Sequence, residues 1–171
     1  MSQIRILKES IVDSDAEIIV NAANSSLLAG GGVCGAIFRA AGMEKLQKAC
    51  DAIGHCDTGN AVITDAFDLR QKYIIHAVGP VWHGGNHREE RDLYNCYIHS
   101  LELMMKYHCH SIAFPLISSG IYGYPMEQAW MVALHACRDF LKEYPDEKTD
   151  IRFDVLDERV RRTGEKYLRR Q

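Results

Sequence analysis

Apolar runs of strand length, alternating with helical patterns, constrain this chain more than any other feature. The runs are Ile4–Leu7, Ala16–Val20, Ala61–Ile63, Tyr73–Val78, Ser111–Ile117 and Ile151–Leu156. Several are rich in β-branched residues, and some are too continuously apolar to leave one face in water, which predicts buried central strands. Between them, Val33, Ile37, Ala40 and Ala41 lead on to Leu46 and Ile53. Leu93, Tyr97, Leu101, Met104 and Met105 follow a three-and-four spacing, and Met126 to Tyr144 reads similarly, which is the periodicity of amphipathic helices. Strands alternating with helices need crossover connections, so the fold class is α/β, with a mostly parallel sheet covered on both faces. Its ligands are expected beyond the carboxyl ends of the strands. His83 to Asp92, with Gly84-Gly85 and five charged residues from Arg88, reads as the most loop-like long segment and does not split the domain. The charged tail Asp157 to Gln171 is predicted to be a solvated terminal helix.

A chain of 171 residues that is 47% hydrophobic can bury one ordinary core, and without an internal repeat or a low-complexity linker it is read as one domain over residues 1–171. Lys+Arg 20 against Asp+Glu 23 gives a formal net charge of -3, so no polycationic field exists to hold a nucleic-acid backbone. Met1 to Lys8 is broken by charge before an apolar leader can form, and no apolar run approaches the ~18 residues of a membrane helix. A cytoplasmic protein is expected. Six scattered cysteines with no Cys-x-x-Cys pair are read as reduced thiols. The run His108-Cys109-His110 looks like a metal tract, yet its neighbours point in different directions and no second cluster is evident, so no metal and no cofactor is expected.

Two loops carry the chemistry. After Ile18-Ile19-Val20 come Asn21-Ala22-Ala23-Asn24-Ser25-Ser26 and then Leu27-Leu28-Ala29-Gly30-Gly31-Gly32-Val33-Cys34-Gly35, which opens a helix. Consecutive glycines let the backbone approach a ligand, and a helix start offers unpaired N–H groups with a dipole that favours an anion. Such a loop alone could equally serve a sharp turn. The second loop, Ser118-Ser119-Gly120-Ile121-Tyr122-Gly123-Tyr124-Pro125, follows the apolar run Ile112 to Ile117 and also precedes a helix. Two such loops at parallel strand ends can face each other across a diphosphate, with Ile121 and Tyr122 covering it.

Four ordered motifs, Asn21-Ala22-Ala23-Asn24, Gly30-Gly31-Gly32-Val33-x-Gly35-Ala36-Ile37, His76-Ala77-Val78-Gly79-Pro80 and Ser119-Gly120-Ile121-Tyr122-Gly123-Tyr124-Pro125, resemble the macrodomain family in its MacroD-like bacterial branch. The resemblance covers nearly the whole chain. It implies a three-layer α/β/α sandwich that binds ADP-ribose in a crevice on top of the sheet. It also implies removal of ADP-ribose from carboxylate side chains of proteins, or deacetylation of O-acetyl-ADP-ribose. Carried over to this chain, it places Asn24 beside the distal ribose, Gly31, Gly32 and Val33 on the diphosphate and distal ribose, and Ser118, Ser119, Gly120, Ile121 and Tyr122 on the phosphates from the other side. His76, Tyr73, Trp82 and Trp130 are read as packing residues.

The chain departs from the branch at four places. Cys34 stands where an Asp is usual and Phe38 where a His is usual, so neither supplies acid or base near the distal ribose. Glu9-Ser10-Ile11 replaces a Gly-Asp-Ile motif whose Asp receives the adenine amino group, and Leu156 replaces an aromatic residue that packs on adenine. A hydroxyl acceptor at Ser10 is weaker than a carboxylate by roughly 1 kcal/mol. The resulting expectation is ADP-ribose binding with weak hydrolysis of ADP-ribosyl esters, Asn24 being the catalytic candidate and a non-catalytic reader the alternative. A thiol hydrolase built on Cys34 is a third reading, in which a helix start would favour the thiolate. Cys34 is expected instead to be a wall of the distal-ribose pocket.

Overall fold

The computed structural model describes residues 1–170; Gln171, the end of the predicted tail, lies outside the described residues. The strands are β1 (Gln3–Lys8), β2 (Ile18–Ala22), β3 (Ala61–Asp65), β4 (Tyr73–Ala77), β5 (Ser111–Phe114) and β6 (Asp150–Val155). The helices are α1 (Gly32–Ala41), α2 (Met43–Ile53), α3 (Glu89–Lys106), α4 (Met126–Glu143) and α5 (Glu158–Arg169), with a single 3-10 turn at Ile11–Asp13. The strands form one sheet in the order β1-β6-β5-β2-β4-β3, parallel throughout except for the antiparallel edge pair β3/β4.

The period of two along each strand sorts side chains into two cores. Ile18, Val20, Ile75, Ala77, Ile112, Phe114, Ile151 and Phe153 meet α3 and α4 residues such as Leu93, Tyr97, Leu101, Trp130 and Ala133 on one face. Their alternates Ile19, Ile74 and Ala113 meet Ile37, Phe38, Ala41, Leu46 and Cys50 of α1 and α2 on the other. The result is helix, sheet, helix, the layering expected from the sequence. α5 joins the first core, where the Trp130 indole N–H donates to the Val160 carbonyl at 3.0 Å.

Two predicted boundaries move. The pattern from Val33 to Ile53 is broken at Gly42, whose φ of +107 lies where an L side chain is strained, so the chain turns there and α2 starts afresh. The predicted loop His83 to Asp92 is a loop only as far as Arg88. Glu89, Glu90 and Asp92 form the acidic first turn of α3, where negative charge suits the helix start. Glu89 is buried and acts backwards, its carboxylate accepting from the N–H groups of His83, Gly85 and His87 at 2.8, 3.0 and 2.5 Å.

Candidate functional site

Parallel pairing puts the carboxyl ends of β1, β6, β5, β2 and β4 along one edge of the sheet. The segment after β2 holds Asn24 and the glycine loop; the segment after β5, its immediate neighbour, holds Ser118 to Tyr122. The two loops predicted to face each other therefore leave adjacent strands at the same end. Ser10 and Ile11 follow β1, and Leu156 follows β6, so they lie at the far end of the same edge.

The glycine loop is braced from several sides. Asn24 Nδ2 donates to the Leu28 carbonyl at 2.9 Å and its Oδ1 accepts from the Leu28 N–H at 3.0 Å. Gln47 of α2 accepts from the Ala29 N–H and donates to the Leu27 carbonyl, at 2.9 and 3.1 Å. Gly35 allows the closest approach: a Cβ there would lie 2.5 Å from the Gly30 carbonyl oxygen. Thus held, the N–H groups from Gly30 to Cys34 find no acceptor among the described residues, and Gly31 caps α1 without a side-chain bond. That is a row of donors at a helix start, aimed outward with the positive end of the dipole.

The second loop is anchored as firmly. The Tyr97 hydroxyl, buried between the layers, accepts from the Ile117 N–H at 3.0 Å. Ser119 returns to the Leu116 carbonyl through its Oγ at 2.8 Å, the Tyr124 N–H donates to the Ser118 carbonyl at 2.9 Å, and the Trp82 N–H donates to the Tyr122 carbonyl at 2.8 Å. Ser118 adopts φ +68, a strained value for serine, and its buried Oγ has no partner among the described residues. The N–H groups of Gly120, Ile121 and Tyr122 are also without acceptors among those residues, and Ile121 is 89% exposed. Two rows of unsatisfied donors on neighbouring strand ends make a cradle for a doubly charged, oxygen-rich group.

The other proposed site residues divide by depth. Cys34 is buried at the start of α1, with Sγ 3.8 Å from the Leu28 carbonyl. Val33 is half-buried beside it, and Gly31 and Gly32 are exposed. Phe38 does not reach the open edge. It is 1% exposed inside the α1/α2 core and packs against His76 with ring centroids 6.4 Å apart. One helical turn past Cys34, its side chain points into the sheet. Ile11 buries its side chain in the same core, and Ser10 before it is half-buried. Leu156 is 68% exposed.

His76 is a packing residue with a defined tautomer. Asn21 Nδ2 donates to its Nδ1 at 3.0 Å, so Nε2 carries the proton and faces Thr64 Oγ1 at 2.9 Å, which donates onward to the Asp65 carbonyl. Burial holds its pKa down at about 4, so it stays neutral. No imidazole base is thereby offered to Cys34. The bracing residues Gln47, Tyr97 and Trp82 were not singled out for the site by sequence, since each belongs to another element and meets its loop only after packing.

A protein-family model described as Macro domain matches residues 20–133. The chain belongs to the macrodomain family. A macro domain-containing protein of Chlorobaculum tepidum is 53% identical to this macrodomain over 140 residues, 82% of this chain and 81% of that protein. The O-acetyl-ADP-ribose deacetylase of Salmonella typhimurium is 44% identical over 176 residues, covering 99% and 96% of the two chains. The Oceanobacillus iheyensis macrodomain, solved with ADP, superposes with a TM-score of 0.90 at 39% identity, covering 95% of this macrodomain and 88% of that chain.

Proposed function

We propose that this macrodomain binds ADP-ribose and slowly hydrolyses its esters, either O-acetyl-ADP-ribose or ADP-ribose linked to protein carboxylates. The observation that carries the reading is the pair of donor rows, Gly30 to Cys34 and Gly120 to Tyr122, without acceptors among the described residues at neighbouring strand ends. A diphosphate satisfies both rows at once. ADP in the Oceanobacillus iheyensis macrodomain and the deacetylase of Salmonella typhimurium support the substrate class.

The chemistry has to proceed without a side-chain base, because Cys34 has no imidazole partner and Phe38 is in the core. For ADP-ribose linked to a protein carboxylate, water attacks the anomeric carbon, the bond from that carbon to the carboxylate oxygen breaks, and the water's proton passes through a phosphate oxygen of the substrate to solvent. For O-acetyl-ADP-ribose, water attacks the acyl carbon and the proton passes by the same route to the departing ribose oxygen, leaving acetate. The protein contributes positioning and charge stabilisation. Asn24 keeps one amide hydrogen and one oxygen lone pair free after bonding Leu28, so it both shapes the glycine loop and orients the distal ribose or its water.

Calorimetric titration with ADP-ribose, AMP and ribose 5-phosphate tests the binding. Micromolar affinity for ADP-ribose, on the order of −8 kcal/mol, is expected. No heat and no thermal shift at millimolar ADP-ribose would refute it. Turnover of O-acetyl-ADP-ribose and of an Asp/Glu-ADP-ribosylated protein is expected to exceed the buffer rate and to fall at least tenfold in Asn24→Ala. Binding of both substrates with no product would leave a reader domain.

A further inference from the structure

Behind the second loop, on the α3/α4 side, lies a cavity of about 500 Å³ bounded by Trp82, Gly85, Glu90, Tyr124, Met131 and His135. Its back wall is aromatic: the Trp82 and Tyr124 rings lie 4.7 Å apart, tilted at 58°. Its charge is negative. Glu90 is the one charged side chain that lines it, and no lysine or arginine does so among the described residues. The neighbouring Glu89 carboxylate adds to the field, and its oxygens are fully engaged by three backbone N–H groups. The burial of Tyr124, followed by the charges of Glu90 and Glu89, pushes its hydroxyl up to about 12. His135 also borders it, with Nε2 3.3 Å from Asp139, whose carboxylate accepts from the Tyr94 hydroxyl at 2.6 Å.

The cavity is tied to the diphosphate cradle by backbone. Trp82 donates its N–H to the Tyr122 carbonyl and Tyr124 donates its N–H to the Ser118 carbonyl, so both wall residues are bonded directly to the loop that offers Gly120, Ile121 and Tyr122. A ligand confined to the cradle has no need of this space. One that carries the nucleotide on a larger body would extend beyond the cradle, and this space adjoins it.

We propose that this cavity is a second subsite that receives a basic side chain, arginine or lysine, of the protein carrying the ADP-ribosyl group. The proposal rests on the ADP-ribose reading of the cradle and adds the chemistry of the partner. An aromatic wall attracts a cation through the ring quadrupole, Glu90 supplies the opposite charge, and Met131 covers the aliphatic stem.

The test uses the whole protein and a set of peptides, each bearing one ADP-ribosyl glutamate. At each of the next several positions the set carries either arginine or its neutral isostere citrulline. At one spacing at least, the arginine peptide should bind about fivefold more tightly, the size expected of a partly exposed cation–π contact with a carboxylate beside it. The Trp82 indole N–H resonance should move with arginine and not with citrulline. Glu90→Gln and Met131→Lys, both exposed and outside the cradle, should erase the preference while leaving free ADP-ribose affinity unchanged. Equal binding of the two peptides at every spacing overturns the proposal, as does a preference that survives both variants. Failure of free ADP-ribose to bind wild type is a separate result that refutes the cradle reading itself.

Discussion

At the residue scale, the glycines of the first loop are not equivalent. Gly31 faces open space, with nothing within 4 Å of a Cβ built on it, whereas a Cβ on Gly35 would press on the Gly30 carbonyl at 2.5 Å. Gly35→Ala should push the loop off α1 and misaim the donors from Gly30 to Cys34, weakening ADP-ribose binding by tenfold or more while the protein stays folded. Gly31→Ala should cost threefold at most. Calorimetry on the two variants decides it, and equal losses would mean that the loop's geometry is not set at Gly35. The sequence showed that a glycine-rich loop opens a helix but not which glycine has a neighbour, because Gly30 and Gly35 meet only when α1 folds back under the loop. Phe38 teaches the converse. Its identity was informative by itself, since it falls on the apolar stripe with Cys34, Ile37 and Ala41, all buried.

At the element scale, strands were legible because alternate burial leaves a period of two and continuous burial an apolar run, and the six runs correspond to the six strands of the sheet. The start of α3 was not legible. Glu89 reads as one more charge in Arg88 to Asp92, and its role depends on the turn His83 to His87 curling back onto it. Burial alone would raise the Glu89 carboxyl, but bonds from the His83, Gly85 and His87 N–H groups outweigh that and hold it at about 2. A carboxyl depressed on folding stabilises the protein above its unfolded value near 4.5, and the contribution fades as pH falls towards 2. Glu89→Gln should therefore lower the unfolding midpoint clearly at pH 7, and the gap from wild type should narrow by pH 3. Urea unfolding at both pH values measures it. A gap that stays constant would show that the carboxylate's charge contributes nothing to holding the turn.

At the scale of the whole molecule, the sheet is closed by the two ends of the chain. β1 and β6 pair in parallel from Gln3↔Asp150 to Lys8↔Val155, and the helices α1 and α2 do not extend over them. Their residues on that face are mostly polar: Arg5 on β1, where Leu7 is the apolar one, and Asp150, Arg152 and Asp154 on β6. Arg152 bonds Asp15 and Asp150, and Arg5 reaches Asp150 at 3.0 Å. Asp154 is the exception. It is 5% exposed, with both oxygens unpartnered among the described residues, beside Glu9 at the end of β1. Burial, then the neighbouring Glu9, push its carboxyl up to about 8, against the lowering influence of Arg152 and Arg5. A buried carboxyl that keeps its proton needs no cationic partner, and Glu9 beside it leads directly into Ser10 and Ile11. The unfolded carboxyl ionises near 3.8, so between that value and about 8 the folded protein holds a proton that the unfolded chain releases. Stability must then fall as pH rises through this window. Asp154→Asn keeps the shape of the protonated carboxyl, offers Glu9 a permanent N–H donor and has no proton to lose. Its melting temperature should match or trail wild type near pH 4 and exceed it increasingly towards pH 8, by several degrees. ADP-ribose affinity in wild type should weaken over the same window if ionised Asp154 repels Glu9 and draws Ser10 away, and the variant should show no such change. Parallel melting profiles for the two proteins would mean that Asp154 titrates as an ordinary carboxylate, and that the closing strands carry no proton-linked coupling.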